Sequence, residues 1–140
     1  MSELPFYSGP ALRTPREVLA LRGEYRTDSL ILSISQHLEA APIKELSEME
    51  SILVGVSVFE REVNSGGFDG FLEYYSAYAP LANLGLTTIG RYDVLALLNE
   101  AESLHPDDLD GYNALDQTYY ALNLDMTEDL MALLIMNPQI

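Results

Sequence analysis

The chain of 140 residues contains no cysteine, so nothing in it points to a disulfide framework or to secretion. It lacks a basic start followed by an apolar core and a small-residue cleavage site, and cytoplasm is the default expectation. Its apolar runs are far too short to cross a bilayer, so no membrane partner is expected. Basic residues are the scarcest resource: 7 Lys and Arg stand against 22 Asp and Glu, a formal net charge of −15. Four of the seven, Arg13, Arg16, Arg22 and Arg26, fall in the first 26 positions, and from Asp93 onward there are ten acids and no Lys or Arg. A chain of this kind repels nucleic acid and acidic membranes, and it attracts basic protein surfaces at rates that fall with salt.

The usual signatures of chemistry are missing too. Gly66-Gly67 is not followed by Lys-Ser or Lys-Thr, so it reads as a helix stop and not as a phosphate loop. His37 and His105 lie on different segments without a metal-ligand spacing. No nucleophile elbow supports a Ser/His/Asp triad. Asp107-Asp108-Leu109-Asp110-Gly111 resembles part of a calcium loop, but the first and twelfth positions would be Pro106 and Gln117, leaving two essential carboxylates out. It reads better as an acid-rich helix N-terminus. The rings of Phe68, Phe71, Tyr74, Tyr75 and Tyr78 lack the positive groove that a base-stacking platform needs, with only Arg61 and Arg91 near in sequence, and read mainly as core. No enzyme, cofactor or metal is expected.

What the sequence does contain is helical periodicity. With 48% hydrophobic residues it is too apolar to be disordered, and its length suits one domain that buries about 70% of its unfolded surface. Residues 1–13, with Pro5, Gly9 and Pro10, read as an extended arm whose Phe6 and Tyr7 are placed to tuck against the body. Thr14-Pro15-Arg16-Glu17 is a capping box with proline at the first helical position, and that helix stops at Gly23. Ser29 to Ala40 follows as a helix, with a strand at Leu30 to Ile34 as the lesser alternative. Ser47-Glu48-Met49-Glu50 repeats the box and opens a long helix carrying Met49, Ile52, Leu53, Val56 and Val63. Asn64-Ser65-Gly66-Gly67 breaks it, and Phe68, Phe71, Leu72 and Tyr75 mark one face of a second helix packed back on the first. Pro80 opens Leu81, Leu84 and Leu86 to Ile89, closed by Gly90. Asp93 is read as the cap of a helix bearing Val94, Leu97, Leu98, Ala101 and Leu104. The next carries Tyr112, Leu115, Tyr119 and Leu122, and Thr127 is read as the cap of the last, which ends before Pro138. The expected fold is all-α: a single compact domain over 1–140 of about seven helices.

Glu62-Val63-Asn64-Ser65-Gly66-Gly67-Phe68, the aromatic-rich helix after it, Leu86 to Ile89-Gly90, and Leu115-Asp116-Gln117-Thr118-Tyr119-Tyr120 together resemble one bacterial family. That family was defined as a domain of unknown function and includes an acidic DNA-mimic protein that occupies the DNA-binding surface of a partner. The resemblance covers roughly residues 48–138. It implies that Glu62, Asn64, Gly66, Gly67 and Phe68 form a structural motif and that the acids mimic a nucleic acid.

Carboxylates three or four residues apart on a helix lie about 5–6 Å apart on one face, so a patterned set can offer a basic groove the charges it finds on phosphates. The candidate partner-binding acids are Asp93, Glu100, Glu102, Asp107, Asp108, Asp110 and Asp116, with Asp125, Glu128 and Asp129 behind them. The reading is a non-enzymatic inhibitor that blocks the basic surface of a nucleic-acid-handling protein, a class that holds anti-restriction, anti-CRISPR, repressor-antagonist and immunity proteins. The alternative is an interaction protein with apolar contacts whose acids serve solubility. The Arg13 to Arg26 segment is expected either to neutralise another face or to fix a homodimer.

Overall fold

Both capping boxes read from the sequence start helices. In the computed structural model, which describes residues 3–138, Thr14 Oγ1 accepts the Glu17 N–H and the Glu17 carboxylate answers at the Thr14 N–H, opening α1 (Pro15–Leu21). Ser47 and Glu50 do the same for α3 (Glu48–Tyr74). Between them lies α2 (Thr27–Glu39), helical throughout, so Leu30 to Ile34 is not a strand. The remaining helices are α4 (Ala79–Thr88), α5 (Tyr92–Ser103), α6 (Leu109–Leu122) and α7 (Met126–Met136). Among the described residues there are seven α-helices and no named strand.

Two cap assignments need correction. Helix α5 begins at Tyr92, one residue before the expected cap, and Asp93 accepts the adjacent Val94 N–H at 2.9 Å from inside the first turn. Helix α7 is capped by Asp125, which accepts the Thr127 N–H, and not by Thr127 itself. In both cases a carboxylate or hydroxyl near the start fits the local pattern, and the path of the incoming chain decides which residue stays outside the helix.

Helix α3 is the centre of the molecule, packed against α2, α4, α6 and α7. Ile52, Leu53, Val54, Val56, Val58 and Phe59 are all buried, and a helix apolar on every side has to be enclosed. Against α4 the enclosure is backbone-close: a Cβ on Gly55 would stand 2.6 Å from the Leu81 carbonyl carbon, so only glycine allows this crossing. On the far side α1 and α2 cover α7. The arm from residue 3 onward runs extended over α2, with the Tyr7 N–H given to Ser29 Oγ and the Leu12 N–H to Ser33 Oγ, both 2.9 Å, and the Tyr7 ring edge-on to Tyr25. Residues 1 and 2 of the expected arm lie outside the described residues. Leu84 and Leu122, both read as core-facing, remain 39% and 37% exposed at the edges of their helices.

The glycine pair breaks α3 differently from the expected full stop. Gly66 keeps helical dihedrals, and Gly67 alone leaves them, at φ 73° and ψ 178°, a combination essentially confined to glycine. One residue therefore re-aims the helix, which continues to Tyr74. The two parts do meet. Phe59 lies edge-on to Phe68 and Phe71, with ring centroids 5.8 and 5.3 Å apart, whereas residues 12 apart in a straight helix are separated by about 18 Å along its axis.

Gly67→Ala should lower stability by about 1–3 kcal/mol or more, from the strained φ and from collision with Asp116. Gly66→Ala, with open space around its Cβ, should be neutral or stabilising by up to about 1 kcal/mol. Denaturant unfolding of the two variants measures both, and equal effects would show that the break is shared between them.

Candidate acidic docking face

The break in α3 leaves polar backbone groups without helical partners, and α6 supplies them. Asp116 Oδ1 accepts the Phe68 N–H at 2.8 Å, and the Tyr120 hydroxyl donates to the Val63 carbonyl at 2.8 Å. Between these two residues Tyr119 is buried edge-on to Phe59 and Phe68. Asp116 is half-buried, and its carboxyl is pushed above the usual range by burial, with the Phe68 N–H opposing and Asp69 adding to the rise. A carboxylate here also faces the positive end of the helical turn that begins at Phe68. The two motifs of the sequence, Glu62 to Phe68 and Leu115 to Tyr120, thus meet at one corner. Within the first, Glu62 pairs with Arg61, Asn64 is exposed and Phe68 is fully buried.

Glu60 is a second carboxylate with an internal task, and it was missed from the sequence. Its Oε2 accepts the Met126 N–H at 2.9 Å, at the start of α7. Burial pushes the Glu60 carboxyl up to about 7, opposed by the Met126 N–H and assisted by Asp125 and Asp129. The spacing held a signal, since Val56, Glu60 and Val63 share the inward face of α3 at i, i+4 and i+7.

The ten candidate acids divide into separate groups. Asp125, Glu128 and Asp129 stand at the start of α7 and are partly compensated. Arg91 Nε binds Asp129 at 2.9 Å, and Arg26, paired with Asp28, shares a surface hollow with Asp125 and Glu128. Glu100 and Glu102 are exposed near the end of α5, where Glu102 accepts from the Asn83 amide. Asp93 is exposed at the other end of that helix.

Asp107, Asp108 and Asp110 are exposed at the entry to α6, where Asp108 caps the Gly111 N–H at 2.9 Å, as the acid-rich N-terminus reading expects. Here the structure adds Asp69 and Glu73 from the last turns of α3, which the sequence reading did not include. Together with Asp107 they line a groove of about 460 Å³. Its other walls are apolar, from Leu72, Leu109, Tyr112 and Pro106, and no Lys or Arg lines it among the described residues. Asp116 is not part of the groove's lining but joins α6 to the break in α3.

The model of DMP19-like proteins matches residues 44–137, two thirds of the chain. The chain belongs to the DMP19-like family. DMP19 is itself a DNA mimic protein. No curated protein and no solved structure matches the chain. The stretch matched to DMP19-like proteins runs from the turn before α3 to the end of α7, and so takes in the corner, the groove and all ten candidate acids.

Asp116→Ala should cost about 1–3 kcal/mol, because it leaves the Phe68 N–H without its acceptor, while Asp116→Asn keeps an acceptor oxygen and should retain most of that stability. Thermal unfolding of the pair checks this, and an equal loss in both would assign the effect to charge. For Glu60, a folded-state value above the ordinary 4.5 means that the native form holds the proton more tightly. Its contribution thus favours folding as pH falls from 7 toward 4.5 and opposes folding above 7. Glu60→Gln should raise the unfolding midpoint at pH 8 and change it little near pH 5, and a pH-independent shift would count against the assignment.

Proposed function

We propose that this chain is a non-enzymatic, cytoplasmic protein that presents carboxylates in place of nucleic-acid phosphates and occupies the basic surface of a nucleic-acid-binding protein. The observation that carries this reading is the groove of Asp69, Glu73 and Asp107, flanked by Asp108 and Asp110 and bordered by no Lys or Arg among the described residues, in a member of a family named for a DNA mimic. Arg26 and Arg91 soften the field at the start of α7, which leaves the entry to α6 as the stronger attractor for a positive partner. Of the two roles expected for the Arg13 to Arg26 segment, the place of Arg26 among Asp28, Glu3 and Asp125 supports neutralisation of another face over dimer formation.

Mimicry works through differential charge. A basic surface that evolved to release counterions on binding phosphates gains the same release on binding a patterned acidic face, so the interaction weakens steeply with salt. Direct contact with nucleic acid is opposed by the same charges. No helix of the described residues is long and apolar enough to cross a membrane. An inhibitor of restriction, of a CRISPR effector, of a repressor or of a toxin would each present this chemistry.

The test is a partner captured from the native host, followed by charge reversal. Asp107→Lys with Asp110→Lys should lower its affinity by about tenfold or more at low salt while circular dichroism and the unfolding midpoint stay near the parent, because these side chains are exposed. Glu100→Lys with Glu102→Lys, away from the groove, should act less. Binding that ignores both double changes and is equally tight at low and moderate salt would remove mimicry and leave the acids as solvating charge.

A further inference from the structure

The groove that supports mimicry has a mixed lining, and its composition selects among positive groups. A divalent cation is a poor occupant: no three Asp, Glu, His or Cys side chains among the described residues are close enough together to hold a metal ion. The three carboxylates are spread around a space of about 460 Å³ whose other sides are the hydrocarbon of Leu72, Leu109 and Tyr112. Leu109 is 65% exposed at the first position of α6, held in the open by a helix start that Asp108 fixes. A large exposed leucine beside uncompensated carboxylates suits a group that is apolar along its length and positive at its end. His105 stands beside Asp107 at the groove's rim, its Nδ1 accepting the Asp107 backbone N–H at 3.1 Å and lying 3.7 Å from the Asp107 carboxylate.

We infer that the groove between the last turns of α3 and the start of α6 is a slot for a single arginine side chain of the protein partner, the stem lying on Leu72 and Leu109 and the guanidinium reaching Asp69, Glu73 and Asp107. Long basic side chains bury their methylene stems along apolar surface while the head finds charge, and the planar fork of arginine matches carboxylates better than the point charge of lysine. The slot is formed before binding, because its two walls are joined by the hydrogen bond from the Phe68 N–H to Asp116 and by the buried rings around Tyr119. A pre-set slot lowers the ordering cost of association. This inference rests on the reading of the chain as a mimic of nucleic acid and adds to it an anchoring contact that DNA phosphates do not offer.

The experiment uses the full chain, isotope-labelled, and titrates it with the peptide Ala-Ala-Arg-Ala-Ala and with its citrulline counterpart while amide shifts are followed by NMR. The arginine peptide should produce saturable shifts confined to residues 69–73 and 106–112, and the neutral peptide none. Leu109→Ser, which removes apolar contact and no charge at an exposed position, should weaken the arginine peptide by roughly five- to tenfold. Glu128→Gln should leave its binding unchanged. Shifts spread evenly over the ends of α5 and α7, or parental affinity in Leu109→Ser, would overturn the slot. If that happens while charge reversal at Asp107 and Asp110 still abolishes capture of the native partner, the slot is wrong and mimicry by a flat acidic face stands.

Discussion

A helix that is apolar on every side cannot end where it likes. Residues 52–59 of α3 are largely enclosed by the surrounding helices, and the chain must leave that enclosure without exposing broken hydrogen bonds in a dry interior. Gly67 turns the helix in one residue, and the groups released by the turn are taken by side chains from α6, 48 and 57 residues away. The order of assembly follows. The corner holds α6 in place, α6 brings its acid-rich start beside the last turns of α3, and the groove exists because those two segments are fixed relative to one another.

The acids serve two purposes that formal charge does not separate. Asp116 and Glu60 each accept an N–H at the beginning of a helical segment that belongs to a distant part of the chain, and burial raises both above the ordinary carboxylate range. Asp108 and Asp125 cap their own helices from exposed positions. Those that remain fully outward are the ones available to another protein. A net charge of −15 is therefore partly architecture, and the field felt by a partner is set by fewer groups than the composition suggests.

Much of the fold was legible because its signals are local. The boxes at Thr14 and Ser47, the proline at the start of α4 and the spacing of Val94, Leu98 and Ala101 each act within one or two turns, and each was realised. The choice between Gly66 and Gly67 was not legible, since two adjacent glycines are equally free and the selection is made by where α6 can place Asp116. The starts of α5 and α7 were misread by a residue or two for a related reason: the direction from which the chain arrives decides the cap. Of the groove, one wall was visible as the run Asp107 to Asp110. Asp69 and Glu73, given no role from the sequence, form its other wall through a contact that no periodicity encodes.

The covering of α7 has a consequence for dissecting the molecule. Residues before 44 lie outside the stretch matched to DMP19-like proteins, yet α1 and α2 pack on α7, and α2 also packs on α3. Leu30, Ile31, Ile34 and Leu38 of α2 are wholly or almost wholly shielded from water, and the surfaces they meet would be equally bare without them. A fragment cut to the boundaries of the family region would expose a continuous apolar sheet of side chains on its back and self-associate through it. The segment outside the shared region thus covers part of the same core as the region inside it.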